Sequence, residues 1–194
     1  MIDVTVKNIL FFSKADIPGY TLFLQSVENE SRSLPIVVGQ FEAQAIAMAL
    51  EQINLNRPMT HDLLSAVMNK LSGGLVSVSI SALRKGTFYA HLLVKAGDQI
   101  ELIDARPSDA IALALREQVP IRVASSVFKE ASVKTPDAHN EEQDNSLSFA
   151  DNVKEITRQA EIRFDLEKDL REAVSKEDYE LAAKIRDQLH TLSE

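Results

Sequence analysis

The sequence predicts an α+β fold: a mixed-sheet domain over residues 1–130, an acidic flexible linker over 131–152 and an α-helical hairpin over 153–194. Three observations carry this. Residues 1–130 switch between the two-residue alternation of strands and the three-to-four-residue spacing of helices, too irregularly for a repeating βαβ unit. The stretch "KTPDAHNEEQDNSLS" is polar, acidic and short of large apolar residues, as linkers are. Beyond it, "LEKDLREAVSKEDYELAAKIRDQLHTL" is almost wholly helix formers.

Taken in order, "IDVTVKNIL" and "YTLFLQSV" alternate as strands, with Pro18-Gly19 as the turn between them. "LPIVVG" is a short apolar strand. "FEAQAIAMALEQI" is Ala-rich, with Phe41, Ala45, Met48, Ala49 and Gln52 at helical spacing. After the "NLNRP" break, Thr60 is placed as the N-cap of the helix "HDLLSAVMNKL", which Gly73-Gly74 ends. "LVSVSISAL" and "TFYAHLLV" are strands joined at Arg84-Lys85-Gly86, and "QIELIDA" is a third. Ser108 or Asp109 is expected to cap the next helix, which stops before Pro120. "PIRVA" closes the series, so the order is βββααβββαβ. In the tail, Leu166, Leu170 and Ala173 form one stripe, and Leu181, Ile185, Leu189 and Leu192 another; Ser175 with Asp178 resembles a capping box. Such short helices bury little alone, so the hairpin's stripes call for a partner. "AIAMAL" (45–50) and "AIALAL" (110–115) agree at five of six positions, a hint of internal duplication that Ala/Leu helices also give by chance.

Composition narrows the function. The net charge is −8, but residues 1–130 hold 12 Lys/Arg against 13 Asp/Glu, while 131–194 hold 9 against 16. The body is therefore nearly neutral and carries no broad basic footprint for nucleic acid, although a local phosphate site remains compatible. The absence of cysteine removes disulfides, thiolate zinc sites and cysteine nucleophiles. No apolar run approaches a bilayer span, and "MIDVTVKNILFF" lacks the pattern of a signal peptide, so no membrane partner and a cytoplasmic location are expected.

Two segments stand out: "RPMTHDLLSAV" from Arg57 and "ARPSDAIALAL" ending in the helix after Arg106. Each has Arg-Pro, a small hydroxyl residue, an aspartate and then an apolar helical run. With "LPIVVGQFEAQAIAMALEQINLNRPMTHDLL" before the second motif "DARPSDAIALALRE", residues 1–130 resemble the bifunctional nuclease (BFN) domain family of bacteria and plants. The resemblance implies a mixed α/β fold, homo-oligomeric assembly through this domain, and degradation of both DNA and RNA. The tail resembles the UVR motif of UvrB, UvrC and some Clp-protease partners, through "EAV", "DYELAA" and "RDQL". That likeness implies a hairpin that pairs with another copy or another protein, with Tyr179, Leu181, Ile185 and Leu189 as its contact residues.

Phosphodiester hydrolysis needs an activated water and neutralisation of phosphate charge, commonly supplied by divalent metals on carboxylates. The residue types offer this. Glu42, Asp62 and Asp109 are the candidate ligands for Mg²⁺ or Mn²⁺, and Asp104 is a further acid. His61 is the candidate proton shuttle, since histidine titrates near working pH. Arg57, Arg106, Ser108 and Arg116 are the candidate phosphate contacts, the arginines by fork geometry. Structural roles compete for the same residues. Glu42, Asp62 and Asp109 stand in first helical turns, where a carboxylate stabilises the helix dipole by ~0.3–1 kcal/mol whatever else it does. Arg106 has Asp104 and Asp109 within reach as ion-pair partners. His91, on a strand face with Tyr89 and Leu93, reads as a packed or interface histidine, and Arg84 and Lys85 as an ordinary solvated hairpin tip. Two functions remain. One is a metal-assisted nuclease with both motifs in one cleft. The other is a non-catalytic oligomeric adaptor for a DNA-repair or Clp-type proteolysis machine, with the motifs either left apart or their charges buried in mutual salt bridges.

Overall fold

A computed structural model describes residues 1–14, 17–53, 55–71, 73–135, 162, 165–166, 168–176 and 178–191. The acidic stretch 136–152, His139 within it, and Leu192 lie outside the described residues.

One eight-stranded mixed sheet organises the body, in the order β6-β5-β4-β7-β1-β2-β3-β8. β1 (Ile2–Lys14), β2 (Ile17–Ser26) and β3 (Arg32–Val38) form an antiparallel meander, and β4 (Leu75–Arg84), β5 (Thr87–Ala96) and β6 (Gln99–Ala105) form another. The three-residue β7 (Ile121–Val123) joins them, antiparallel to β1 and parallel to β4. Helices α1 (Gln40–Leu50) and α3 (Pro107–Glu117) pack on each other, α1 over β2 and α3 over β4 and β5; α2 (Thr60–Leu71) packs on α3. Strand burial follows the two-residue period: Leu22 and Leu24 of β2, Leu34 and Ile36 of β3, and Val78 and Ile80 of β4 enter one core. Ile46, Ile111 and Leu113 meet them from the helices.

Several local expectations are corrected. Pro18-Gly19 is not the turn: Pro18 pairs with Ser13 and Gly19 with Phe12, so the strands run further. Proline sits near the hairpin end, where a missing N–H costs the ladder least. Phe41 is 81% exposed rather than in the apolar stripe. An Ala-rich helix has no sharp apolar face of its own: Ala43, Ala45 and Ile46 enter the main core, while Ala47 and Met48 are buried against Ile9, Ile53 and Leu55. The sequence also lacked two elements. α4 (Ser125–Ala131) packs on β3 and β4, and β8 (Val133–Lys134) pairs with β3, so the sheet-bearing unit continues through Thr135, whose N–H donates to the Ser31 carbonyl at 2.8 Å.

The likeness of α1 and α3 extends to their ends. Gln52 and Gln118 both take left-handed φ of 54°. The next N–H reaches back in each, Ile53 to the Met48 carbonyl at 2.9 Å and Val119 to the Ala114 carbonyl at 3.0 Å.

In the tail, residues 165–166 and 168–175 are helical (α5) and α6 runs Tyr179–Thr191. Asp178, not Ser175, caps α6: its carboxylate accepts the Leu181 N–H at 3.1 Å, while the Ser175 hydroxyl donates to the Glu172 carbonyl. Ala173, Ala182 and Ile185 form the hairpin's own small core, with Leu166, Leu170 and Leu189 packed around it. Ile185 is therefore an internal residue of the hairpin, 6% exposed, while Tyr179 and Leu181 remain on its surface at 68% and 46%. Among the described residues no helix is long and apolar enough to cross a membrane.

Candidate functional site

The two Arg-Pro segments converge although their prolines do different work. Pro107 is the first residue of α3, where a missing N–H is harmless, and Arg106 is the extended N-cap that a pre-proline residue favours. Ser108 and Asp109 therefore lie inside the first turn and do not cap it. Pro58 instead precedes α2 by two residues, and Met59 stands at the cap where Thr60 was expected: the Leu63 N–H donates to the Met59 carbonyl at 2.9 Å. The Asp62 carboxylate returns to accept the Met59 N–H at 2.8 Å, a third-position acid reaching back as in a capping box.

Side chains from three helix starts meet there. Arg106 grips Asp109 with two bonds, Nε to Oδ2 at 2.8 Å and Nη2 to Oδ1 at 3.1 Å, and donates from Nη1 to Glu42 Oε1 at 2.9 Å. His61 Nε2 lies 3.3 Å from Asp109 Oδ1. Two turns further along α3, Arg116 Nε donates to Asp62 Oδ1 at 2.6 Å, and its Nη1 to the carbonyls of Ala45 and Ala112, each at 3.0 Å. Ser65 and Asn69 of α2 bind the Glu117 carboxylate of α3 and lock the two helices together. That last link carried no signature of its own in the sequence.

The charges set one another. Burial pushes the Asp109 carboxyl up, but hydrogen bonds from Arg106 and His61, with their charges, outweigh it and hold the group below the ordinary carboxylate value. Burial likewise raises Asp62, and the Arg116 bond, the Met59 N–H and the Arg116 and His61 charges together lower it. Arg106 is pushed up by its Asp109 bonds and charge and then by Glu42.

These residues do not form a metal cradle. Asp109 commits both oxygens to Arg106, Asp62 commits one to Arg116 and one to the Met59 N–H, and Glu42 commits Oε1 to Arg106. Among the described residues no three His, Asp or Glu side chains gather as a metal site requires. The expected carboxylate set of Glu42, Asp62 and Asp109 is divided between two arginines.

The other expected residues are placed as follows. Arg57 is exposed and makes no ion pair among the described residues, and Ser108 is buried at 8% exposure. Arg116 is bound into the protein, its side chain 11% exposed. Asp104 lies on β6 opposite a half-buried His91 and makes no ion pair among the described residues. The Arg84 guanidinium sits 5.3 Å from the centre of the Tyr89 ring.

Beside Asp62 and Arg116 opens a cleft of about 670 Å³ between α1, α2 and α3. Met48, Ile53 and Leu115 supply apolar wall; Asp62, Arg116 and Gln118 supply polar groups. Sequence reasoning gave no sign of it, because its lining comes mostly from helix ends.

The comparisons decide the family. The bifunctional nuclease domain profile matches residues 22–136. This chain belongs to the bifunctional nuclease domain family. Its tail matches the UvrB/uvrC motif at residues 159–194. An uncharacterized protein of Mycobacterium tuberculosis is 43% identical over 114 residues, covering 59% of this chain and 68% of that protein. Bifunctional nuclease 1 of Oryza sativa subsp. indica is 28% identical over 183 residues, and bifunctional nuclease 2 of Arabidopsis thaliana 25% over 181. The BFN chain spans about half the length of these plant relatives, 54% and 55% respectively.

Proposed function

We propose that this BFN protein hydrolyses phosphodiester bonds in both DNA and RNA, with His61 moving the proton. The observation that carries the reading is the His61–Asp109 contact, which ties one Arg-Pro segment to the other beside an exposed arginine. Asp109 accepts from His61 Nε2, which fixes the tautomer and leaves Nδ1 as the base. His61 Nδ1 takes a proton from water, the water oxygen forms the new bond to phosphorus, and the ester P–O bond breaks. The leaving oxygen takes its proton from solvent. Arg106 uses three of its guanidinium donors on Asp109 and Glu42, and two N–H groups are left for phosphate on a side chain 65% exposed. The N-termini of α2 and α3 favour the same anion.

Mg²⁺ or Mn²⁺ was expected on the carboxylates; the donor set does not fit it, and no step here runs through a metal. Self-association through the sheet-bearing domain is part of the proposal. Its support is α2, where Leu63, Leu64, Val67 and Leu71 are exposed and Met68 is buried. The UVR hairpin docks a protein through Tyr179 and Leu181, and the setting we propose is the cytoplasm. One observation favours the second reading, a non-catalytic adaptor on a DNA-repair or Clp-type proteolysis machine: the site's acids and arginines neutralise one another.

The test is cleavage of labelled DNA and RNA by full-length protein with Mg²⁺, Mn²⁺ or EDTA, beside folded His61→Ala and Asp109→Asn variants. Cleavage reduced about 10²-fold or more in both supports the nuclease. Cleavage untouched by both moves the chemistry elsewhere, and a clean wild-type protein that cuts nothing leaves the adaptor.

A further inference from the structure

We propose that the cleft between α1, α2 and α3 is a base pocket, receiving one nucleobase splayed from a strand whose phosphate lies at His61 and Arg106. The proposal rests on the nuclease reading above. Its volume of about 670 Å³ is within the range of small-molecule sites. Its charged groups, Asp62 and Arg116, are already paired with each other, so an ionic guest finds no free counter-charge.

Helix polarity separates the two halves of a nucleotide. The cleft lies at the C-terminal ends of α1 and α3, lined by Leu50, Leu115 and the cap Gln118, where backbone carbonyls disfavour an anion. Asp109 and Arg106 lie at the opposite, N-terminal end of α3, which favours one; α2 turns its first residues to both places, His61 to this cluster and Asp62 with Ser65 to the cleft. A phosphate is directed to one end and a neutral, planar group to the other. The seven positions from Asp109 to Arg116 span about 10 Å of α3.

The lining suits that guest. Leu50, Ile53 and Leu115 offer apolar contacts within a mainly polar lining for a base taken out of its stack, as enzymes that splay bases do. Arg116 bonds through Nε and Nη1, and Nη2 has no acceptor among the described residues. Two of the three non-glycine residues at positive φ among the described residues, Gln52 and Gln118, line this cleft.

The experiment is a backbone-amide NMR titration of the full chain with adenosine, guanosine, cytidine and uridine, and separately with inorganic phosphate. A nucleoside is expected to move the amides of Leu50, Ser65 and Gln118, and phosphate those of His61 and Asp109. Ala49→Phe, which fills the cleft, should abolish the nucleoside response and leave the phosphate response. Gln118→Gly suits the left-handed backbone and should weaken nucleoside binding about tenfold. Nucleosides that leave the cleft amides unmoved, or move them equally in both variants, overturn the pocket. Nucleosides bound there by a protein that cleaves nothing uphold the pocket and remove the nuclease; cleavage without nucleoside binding does the reverse.

Discussion

Replacing Arg116 by methionine tests the frame beneath the site. The guanidinium makes three bonds, to the Asp62 carboxylate and to the carbonyls of Ala45 and Ala112, and so ties α1, α2 and α3 at one point. Methionine keeps much of the aliphatic stem's packing and removes every donor. Breaking a buried ion pair from one side costs about 3–5 kcal/mol. Arg116 is 11% exposed but Asp62 39%, so water partly re-solvates the orphaned carboxylate and the loss falls at the low end, about 3 kcal/mol. In a domain of this size that lowers Tm by roughly 10 °C. Arg116→Lys should recover less than half, since a single ammonium does not span a carboxylate and two carbonyls. The assay is urea unfolding followed by circular dichroism, with Asp62→Asn and the double variant completing a cycle; the double should cost at least about 1 kcal/mol less than the sum. A loss below about 1 kcal/mol for Arg116→Met, or wild-type stability for Arg116→Lys, refutes the argument.

Acid should weaken the same region. Asp62 and Asp109 are held below their unfolded value of 3.8, so their stabilisation is complete above that value and is lost as pH falls through the lowered ones. Urea midpoints against pH should fall less steeply below about pH 4 in Asp62→Asn and Asp109→Asn than in the wild type. Gly74→Ala puts a Cβ at φ +92° and 2.5 Å from Asn69 Oδ1, displacing the side chain that holds Glu117. It should cost about 1–2 kcal/mol in thermal unfolding, and an unchanged Tm counts against the geometry. Ile185→Ala, at 6% exposure in the hairpin's core, should cost that unit about 2–4 kcal/mol and melt its helical signal before the sheet. Tyr179→Ala, 68% exposed, should leave the hairpin's melting as it is.

Where the residues speak locally, the sequence was a good guide. Alternation in "IDVTV" fixes which side of β1 is buried, because a one-residue slip would turn Val4 to solvent. The order of strands and helices through β7 followed from such patterns, and the Arg-Pro motifs marked the site because both serve helix starts. What failed was decided by tertiary packing. Nothing near Phe41 says that α1 is gripped by β2 and α3. Nothing near Asp62 names Arg116, 54 positions away, as its partner, and so the acids looked available for metal when each was bound to an arginine. The helix caps slipped by one to three residues for a plainer reason: several neighbouring polar residues compete for each cap, and backbone geometry chooses between them.

The short β7 also sets an order in time. β1, β2 and β3 pair within the first 38 residues, yet the outer edge of β1 has no neighbour until Ile121–Val123 exist. On a ribosome adding 5–20 residues per second, that edge waits about 4–17 s for its partner, its N–H and C=O groups open to any other strand. The second meander forms during the wait and is docked by the same three residues. Nascent chains stopped before residue 121 should therefore hold two meanders joined only through the α1–α3 contact, with the facing β1 and β4 edges unpaired, and chains carried past 123 a single sheet.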